Sequence, residues 1–271
     1  MRFDSNKAWL SAVALVSANR DVLWALAGVF YVLPTFAFSA AFPQPEPGPG
    51  ATPDATLGMM QVYWNAVWPW FMGTMLLQLL GTLTILTLFT DRTRPTVGQA
   101  IAIGSRAIVP VLLAQMLVGL VMMLAALILI ALGTATGIVA LAVLSAAVGL
   151  IPIFYLTVRT MLVSPVVVVE EVRNPITALR RSWTLTEGNA GRLMLFFVLL
   201  VLAVAIVFGV FMLIVGSILA VLLSAETAEF VAALISSLMT GGVSIYAAAV
   251  IAAIHRQLAG TSQEAAAKPF E

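Results

Sequence analysis

The sequence predicts an all-α, polytopic membrane protein with about six transmembrane helices and amphipathic helices on its cytoplasmic surface. Three observations lead there. Of 271 residues, 62% are hydrophobic and only 9% charged. Soluble domains carry about a quarter charged residues, so too little polar surface remains to face water all round. Apolar stretches of about twenty residues recur along nearly the whole chain, the length needed to cross a hydrocarbon core about 30 Å thick. Finally, Lys and Arg are confined to alternate connections between those stretches.

Taken in order, the chain opens with Arg2 and Lys7 followed by a short apolar run, Ala8 to Val16. No clear A-x-A site directly follows it and the next segment is fully apolar, so the run reads as retained rather than as a signal peptide. Asp4 or Ser5 is placed to cap a helix on which Trp9, Val13 and Val16 share a face. A first span is expected over 22–42. The connection from Phe42 to Gly50, running on to Asn65, is rich in Pro and Gly at its start, where the PQPEPGPG run reads as a stiff extended linker. A second span over 66–89 begins among Tyr63, Trp64, Trp68 and Trp70, the composition of an aromatic interface belt.

The next connection, Thr90–Ala107, contains a second amphipathic pattern. Pro95 stands at its first turn, Val97, Ile101, Gly104 and Ile108 fall at helical spacing, and Arg94 and Arg106 flank them. Spans over 108–132 and 137–158 follow, joined by the tight Gly133–Gly137 connection. In Arg159–Arg192, the run Val166–Val169 is entered through Pro165 and is expected to return to water at Glu170 and Glu171. A third surface helix is then capped by Asn174, with Pro175 in its first turn and a stripe of Ile176, Leu179 and Trp183 beside Arg180. A long fifth span, 193–223, is expected to tilt or to extend beyond the hydrocarbon. After the Ser224–Glu229 turn a sixth span occupies 229–254, and His255 opens the tail. Residues 1–256 form one membrane domain and 257–271 a cytoplasmic tail.

Orientation follows from charge. All 13 Lys and Arg residues lie in the N-terminal segment, Thr90–Ala107, Arg159–Arg192 or the tail, while the other connections hold only Glu46, Asp54, Glu226 and Glu229. The positive-inside rule puts the first set, and hence both termini, in the cytoplasm. An apolar face with basic residues nearby suits helices lying on an anionic inner leaflet. The order surface helix, span, short turn, span occurs three times and suggests a threefold repeat with units near 1–89, 90–158 and 170–256.

The stretch Ala178-Leu-Arg-Arg-Ser-Trp-Thr-Leu-Thr-Glu-Gly188, followed by Asn189 and Arg192 before a long apolar span, resembles a known bacterial pattern. It is similar to the inner-membrane family related to the membrane domain of glycerophosphoryl diester phosphodiesterases. Ala178, Arg181, Ser182, Trp183, Leu185, Thr186 and Gly188 carry the match, and the six-span layout agrees. The resemblance implies a location in the bacterial inner membrane but no catalysis, because in those phosphodiesterases the chemistry belongs to a separate soluble barrel. No cytoplasmic segment here is long enough for a barrel of about 250 residues.

Little else points to chemistry. With no cysteine and one histidine, thiolate metal sites are excluded and His255 alone makes a poor metal ligand set. Glu170 and Glu171 are the adjacent carboxylates, but neighbours in sequence do not face each other on a helix. Walker, dinucleotide, H-E-x-x-H and G-x-S-x-G motifs are not found. Inside the expected spans the polar side chains singled out are Gln78, Thr82, Thr84, Thr87, Gln115, Ser145, Ser217, Ser236, Ser237 and Ser244. These suit hydrogen bonds between helices, and Gln78 and Gln115 are the candidates for a polar pathway. Gly73, Gly81, Gly119, Gly149, Gly241 and Gly242 suit close helix contact, and Pro34 and Pro152 suit kinks.

The leading functional expectation is a non-enzymatic inner-membrane module without cofactor, binding membrane lipids, another membrane protein or itself, and no nucleic acid. Its candidate headgroup contacts are Arg180, Arg181, Trp183 and Arg192, whose alternative role is to anchor the fifth span. The competing expectation is a transporter or channel for an apolar or amphipathic solute.

Overall fold

The computed structural model describes residues 2–48, 50–90, 95–135 and 137–267, the side chains of Val139, Ala142, Ser145, Ala146 and 261–267 excepted. Arg94 and the Ser145 hydroxyl therefore lie outside the described residues. The described chain is helical without a strand: α1 (Ser5–Ala18), α2 (Arg20–Ala27), α3 (Leu33–Ala41), α4 (Pro53–Thr90), α5 (Val97–Ala135), α6 (Val139–Thr160), α7 (Val163–Val169), α8 (Pro175–Leu185), α9 (Ala190–Leu222) and α10 (Ala225–Ala267). Among the described residues six helical stretches are long and apolar enough to cross a membrane. The architecture is that of a polytopic all-α membrane protein.

Several boundaries differ from those expected, each for a local reason. Residues 53–65, which precede the expected second span, are helical. They form the first turns of α4, whose 38 residues make a rod of about 57 Å, far longer than the hydrocarbon. The second surface helix and third span fuse into α5, whose start is capped reciprocally by Thr96 and Gln99 at 2.9 and 3.4 Å and which runs on through Pro110. Pro95 thus precedes the cap instead of occupying the first turn. The Val166–Val169 run lies in α7, where Val163, Val166, Val167 and Val168 are buried against α4, α5, α8 and α10. Beyond it Glu171 is exposed, while Glu170 stays half-buried. The last helix continues through 257–267, so what was expected as tail begins as helix, and Leu258 is buried.

The first span is clasped on two sides. A π-helical turn, Gly28–Val32, separates α2 from α3, with the Leu33 amide donating to the Gly28 carbonyl. Pro34 explains it: without an N–H it cannot bond the Phe30 carbonyl, and the helix widens just ahead of it. On one side, a Cβ at Gly81 of α4 would come within 2.5 Å of the Phe30 Cβ. On the other, a Cβ at Gly241 of α10 would lie 2.8 Å from Val32, and one at Gly242 would lie 3.3 Å from Trp24. Gly149 likewise abuts Leu129, whereas Gly73 and Gly119 face open space. Small residues let the helix backbones approach where large side chains would hold them apart.

The same logic turns the three amphipathic segments. The faces they bury are Ala8, Ala12 and Val16, then Ala100, Gly104 and Ala107, then Ala178, Ser182 and Leu185. Val16 and Gly104 belong to the expected stripes and Ile101, Ile108 and Leu179 are partly buried, but Trp9, Val97, Ile176 and Trp183 are exposed. In lipid, large apolar side chains gain little by turning inward, while small ones permit close packing. Burial is uneven between spans. Half of the most apolar stretch of α10 is buried and none of that of α9.

Candidate functional site

The polar chemistry of the chain gathers at the end of the bundle that carries its arginines. Two hubs stand there. In the first, α6 ends at Thr160 and delivers Arg159 into a site where the residue is only 5% exposed. Its guanidinium lies 4.2 Å above the Trp183 ring and its Nη1 donates to Thr186 Oγ1 at 3.2 Å. Tyr155, one turn earlier, closes on Trp183 edge to face. Ser182 Oγ returns a bond to the Arg159 carbonyl at 2.8 Å, so that α8 is latched to the end of α6 twice. Among the described residues the buried Nε of Arg159 has no hydrogen-bond partner. Stacking on the indole compensates part of its lost hydration.

The second hub centres on Glu170. The chain leaves α7 at Val169, and Glu171 adopts a left-handed conformation (φ 52°) that turns it away. Glu170 is thereby aimed back at the bundle, where it accepts from Arg181 Nε at 2.7 Å and meets His255 Nε2 at 3.1 Å. Burial alone would raise the Glu170 carboxyl, but the hydrogen bonds from His255 and Arg181 outweigh it and hold the group below its ordinary value. His255 is buried, and beside it Arg256 donates to the Phe89 carbonyl at the end of α4. Asn189 completes this end by accepting from the Phe3 amide at 2.8 Å.

Every residue of the 178–188 stretch that carries the family resemblance thus has a task inside the molecule. Ala178 and Leu185 are buried, Ser182 and Thr186 hold Arg159, Trp183 stacks on it, Arg181 pairs with Glu170, and Gly188 supplies the left-handed exit (φ 73°). Of the four candidate headgroup contacts, Arg180 and Arg192 are exposed, Trp183 is half-exposed, and Arg181 is engaged by Glu170.

The intramembrane candidates are not brought together. Gln78 Nε2 donates to Thr35 Oγ1 at 3.1 Å, just below the Tyr31–Thr82 hydroxyl pair at 2.7 Å, forming a polar seam between the first span and α4. Gln115 lies on an exposed face of α5. The hydroxyls of Thr84, Thr87, Ser217, Ser237 and Ser244 bond back to carbonyls four residues earlier in their own helices, and that of Ser236 to the carbonyl three earlier. Tyr63 donates to the Phe42 carbonyl, while Trp64, Trp68 and Trp70 are exposed at the opposite end of the bundle.

Sequence reasoning missed both hubs. Arg159 follows the apolar run directly and so counts with the cytoplasmic charges, and nothing near His255 in sequence pairs with it. Glu170 lies 85 positions from His255 and 11 from Arg181, a separation without periodic signature. Among the described residues, three or more potential metal ligands do not cluster. No protein-family model, curated protein or solved structure matches this chain.

Proposed function

We propose that this protein is a non-enzymatic module of the bacterial inner membrane that binds lipid or a partner membrane protein, with both termini in the cytoplasm. One observation carries the reading. At the basic end the groups fit for chemistry are used on one another, Glu170 by Arg181 and His255 and Arg159 by Thr186 and Trp183, while Arg180 and Arg192 stay exposed beside exposed Ile176, Trp183 and Leu195. Cations next to outward apolar side chains at a helix end suit phosphate headgroups or an acidic neighbour. The resemblance to the membrane domain of the phosphodiesterases supports the same location and the same lack of catalysis.

The test compares lipids co-extracted with the protein in native nanodiscs against bulk membrane. Enrichment of anionic lipid, lost in an Arg180→Ala/Arg192→Ala double variant, supports the proposal. Arg181 is left intact because its loss would also break the Glu170 pair. Lipid of bulk composition and no protein adduct would end it. A reporter after Glu271 reading periplasmic would overturn the orientation.

The transporter reading keeps one specific support, the polar seam of Tyr31, Thr35, Gln78 and Thr82 beside a π-helical turn, since such turns recur at functional sites. Solute flux into liposomes that Gln78→Leu abolishes would favour it over the module.

A further inference from the structure

We infer that one phospholipid molecule docks lengthwise on α5, its phosphate between Arg106 and Arg173 and an acyl chain in the apolar groove beyond them. The inference rests on the lipid-binding reading above and gives it a site distinct from Arg180 and Arg192.

Two concavities share this face. The first, about 90 Å³, is lined by Ile103, Arg106, Ala107 and Pro110 of α5 together with Val167, Val168, Glu171 and Arg173. The second, about 560 Å³, is lined by Leu113, Met116, Leu117, Gly119, Leu120 and Met123, closed on one side by Pro175 and Ile176 of α8. Arg106, Pro110, Leu113, Leu117 and Leu120 follow one another at steps of three or four residues. They therefore form one stripe of the helix, polar at its head and apolar below. Arg173 stands two residues before Pro175, so the same short connection borders both hollows.

The dimensions and charges fit a lipid. From Pro110 to Leu120 the helix rises about 15 Å, close to the hydrocarbon depth of one leaflet. Gly119 supplies the notch: a Cβ there would meet nothing within 4 Å. Among the described residues neither Arg106 nor Arg173 makes a salt bridge, and Glu171 is the acid that shares their hollow. Two cations against one carboxylate leave a site for one phosphodiester charge. The amides of Ile176 and Thr177 do not contribute, because the Asn174 side chain already takes them.

The experiment is native mass spectrometry of the full chain in non-ionic detergent, incubated with dioleoyl phosphatidylglycerol or with dioleoylglycerol. One phospholipid should be retained per chain, and the phosphate-free lipid should not. Arg106→Gln/Arg173→Gln should weaken retention by about tenfold or more through loss of charge-assisted bonds, and Gly119→Trp should do so by filling the groove while the arginines remain. Unfolding midpoints of the variants confirm that each still folds. Retention by the parent and undiminished retention in both folded variants overturns this site while leaving the lipid-binding reading in place. Equal retention of dioleoylglycerol removes the phosphate assignment. A parent chain that retains no lipid removes both readings, and a dimer broken by Gly119→Trp shows that a second copy, not a lipid, fills the groove.

Discussion

Replacing Glu170 by Gln tests whether the basic end is held by the hub described above. The carboxylate takes one bond from Arg181 at 2.7 Å and one from His255 at 3.1 Å. Removing a hydrogen bond to a charged group costs about 1.5–3 kcal/mol. The Glu170 and Arg181 side chains keep 23% and 32% of their exposure, so solvent screening moves that pair toward the lower end. Glutamine preserves one acceptor and turns an NH₂ toward the other donor, losing one bond outright. The expected destabilisation is about 2 kcal/mol, or about thirtyfold in the ratio of folded to unfolded protein. Unfolding by sodium dodecyl sulfate in mixed micelles, followed by circular dichroism, reads it. The pH dependence has a definite sign. Because the folded carboxyl is held below its ordinary 4.5, its contribution is complete above that value and is lost as pH falls below 4.5 through the folded one. The gap between parent and Glu170→Gln should narrow as pH falls below 4.5. A gap below about 0.5 kcal/mol at pH 7, the scatter of ordinary surface substitutions, or one that does not narrow in acid, refutes the reasoning.

Two further outcomes follow from the packing. Gly81→Ala places a methyl 2.5 Å from the Phe30 Cβ, a stem atom that no rotamer change can move. It should cost about 1–3 kcal/mol, whereas Gly73→Ala, which meets nothing within 4 Å, should be neutral or slightly stabilising in the same unfolding assay. Arg159→Lys and Trp183→Leu should be coupled. Lysine lacks the planar face that stacks on the indole, so a double-mutant cycle should return an interaction of about 1–2 kcal/mol, and additivity would show that the stack contributes nothing.

The spans were legible because bilayer thickness sets a length that a hydropathy pattern displays directly, and their even number agreed with the alternation of charge. The caps at Asp4 and Asn174 were legible too, since an N-cap is a local event: Asp4 accepts from the Lys7 amide, and Asn174 from those of Ile176 and Thr177. Helix faces were not. An apolar stripe marks the buried side of a helix in water, but in lipid Ile176 and Trp183 are as well placed outside as in, and the choice passed to Ala178 and Ser182. Where helices break was equally hidden: the chain breaks at Asn19 between α1 and α2, yet runs on without a break through Ala107 inside α5. The Glu170–His255 contact needs two helices placed side by side, which no single segment encodes. The repeat expected from the order of elements has three dissimilar first members: α1 stops before its span, the start of α5 runs straight on, and α8 is set off by the Gly188 turn.

The clasp on the first span carries a consequence for how the chain is made. Spans enter a membrane in the order of synthesis, yet the seat of the first one is only half built when α4 has arrived. Its other wall, Gly241 and Gly242, belongs to the last helix. So does the surface on which α1 rests, with Trp9 stacked on Tyr246, and the Phe3 amide waits for Asn189, 186 positions later. Until α10 has been inserted, Trp24 and Val32 have only lipid on that side and α1 has no dock. Assembly is therefore a closing step that follows insertion of the final helix rather than a growth that keeps pace with the ribosome. A nascent chain arrested before α10 displays an undocked α1 and an open flank on its first span, which sets unfinished copies apart from finished ones for any membrane protease that surveys them.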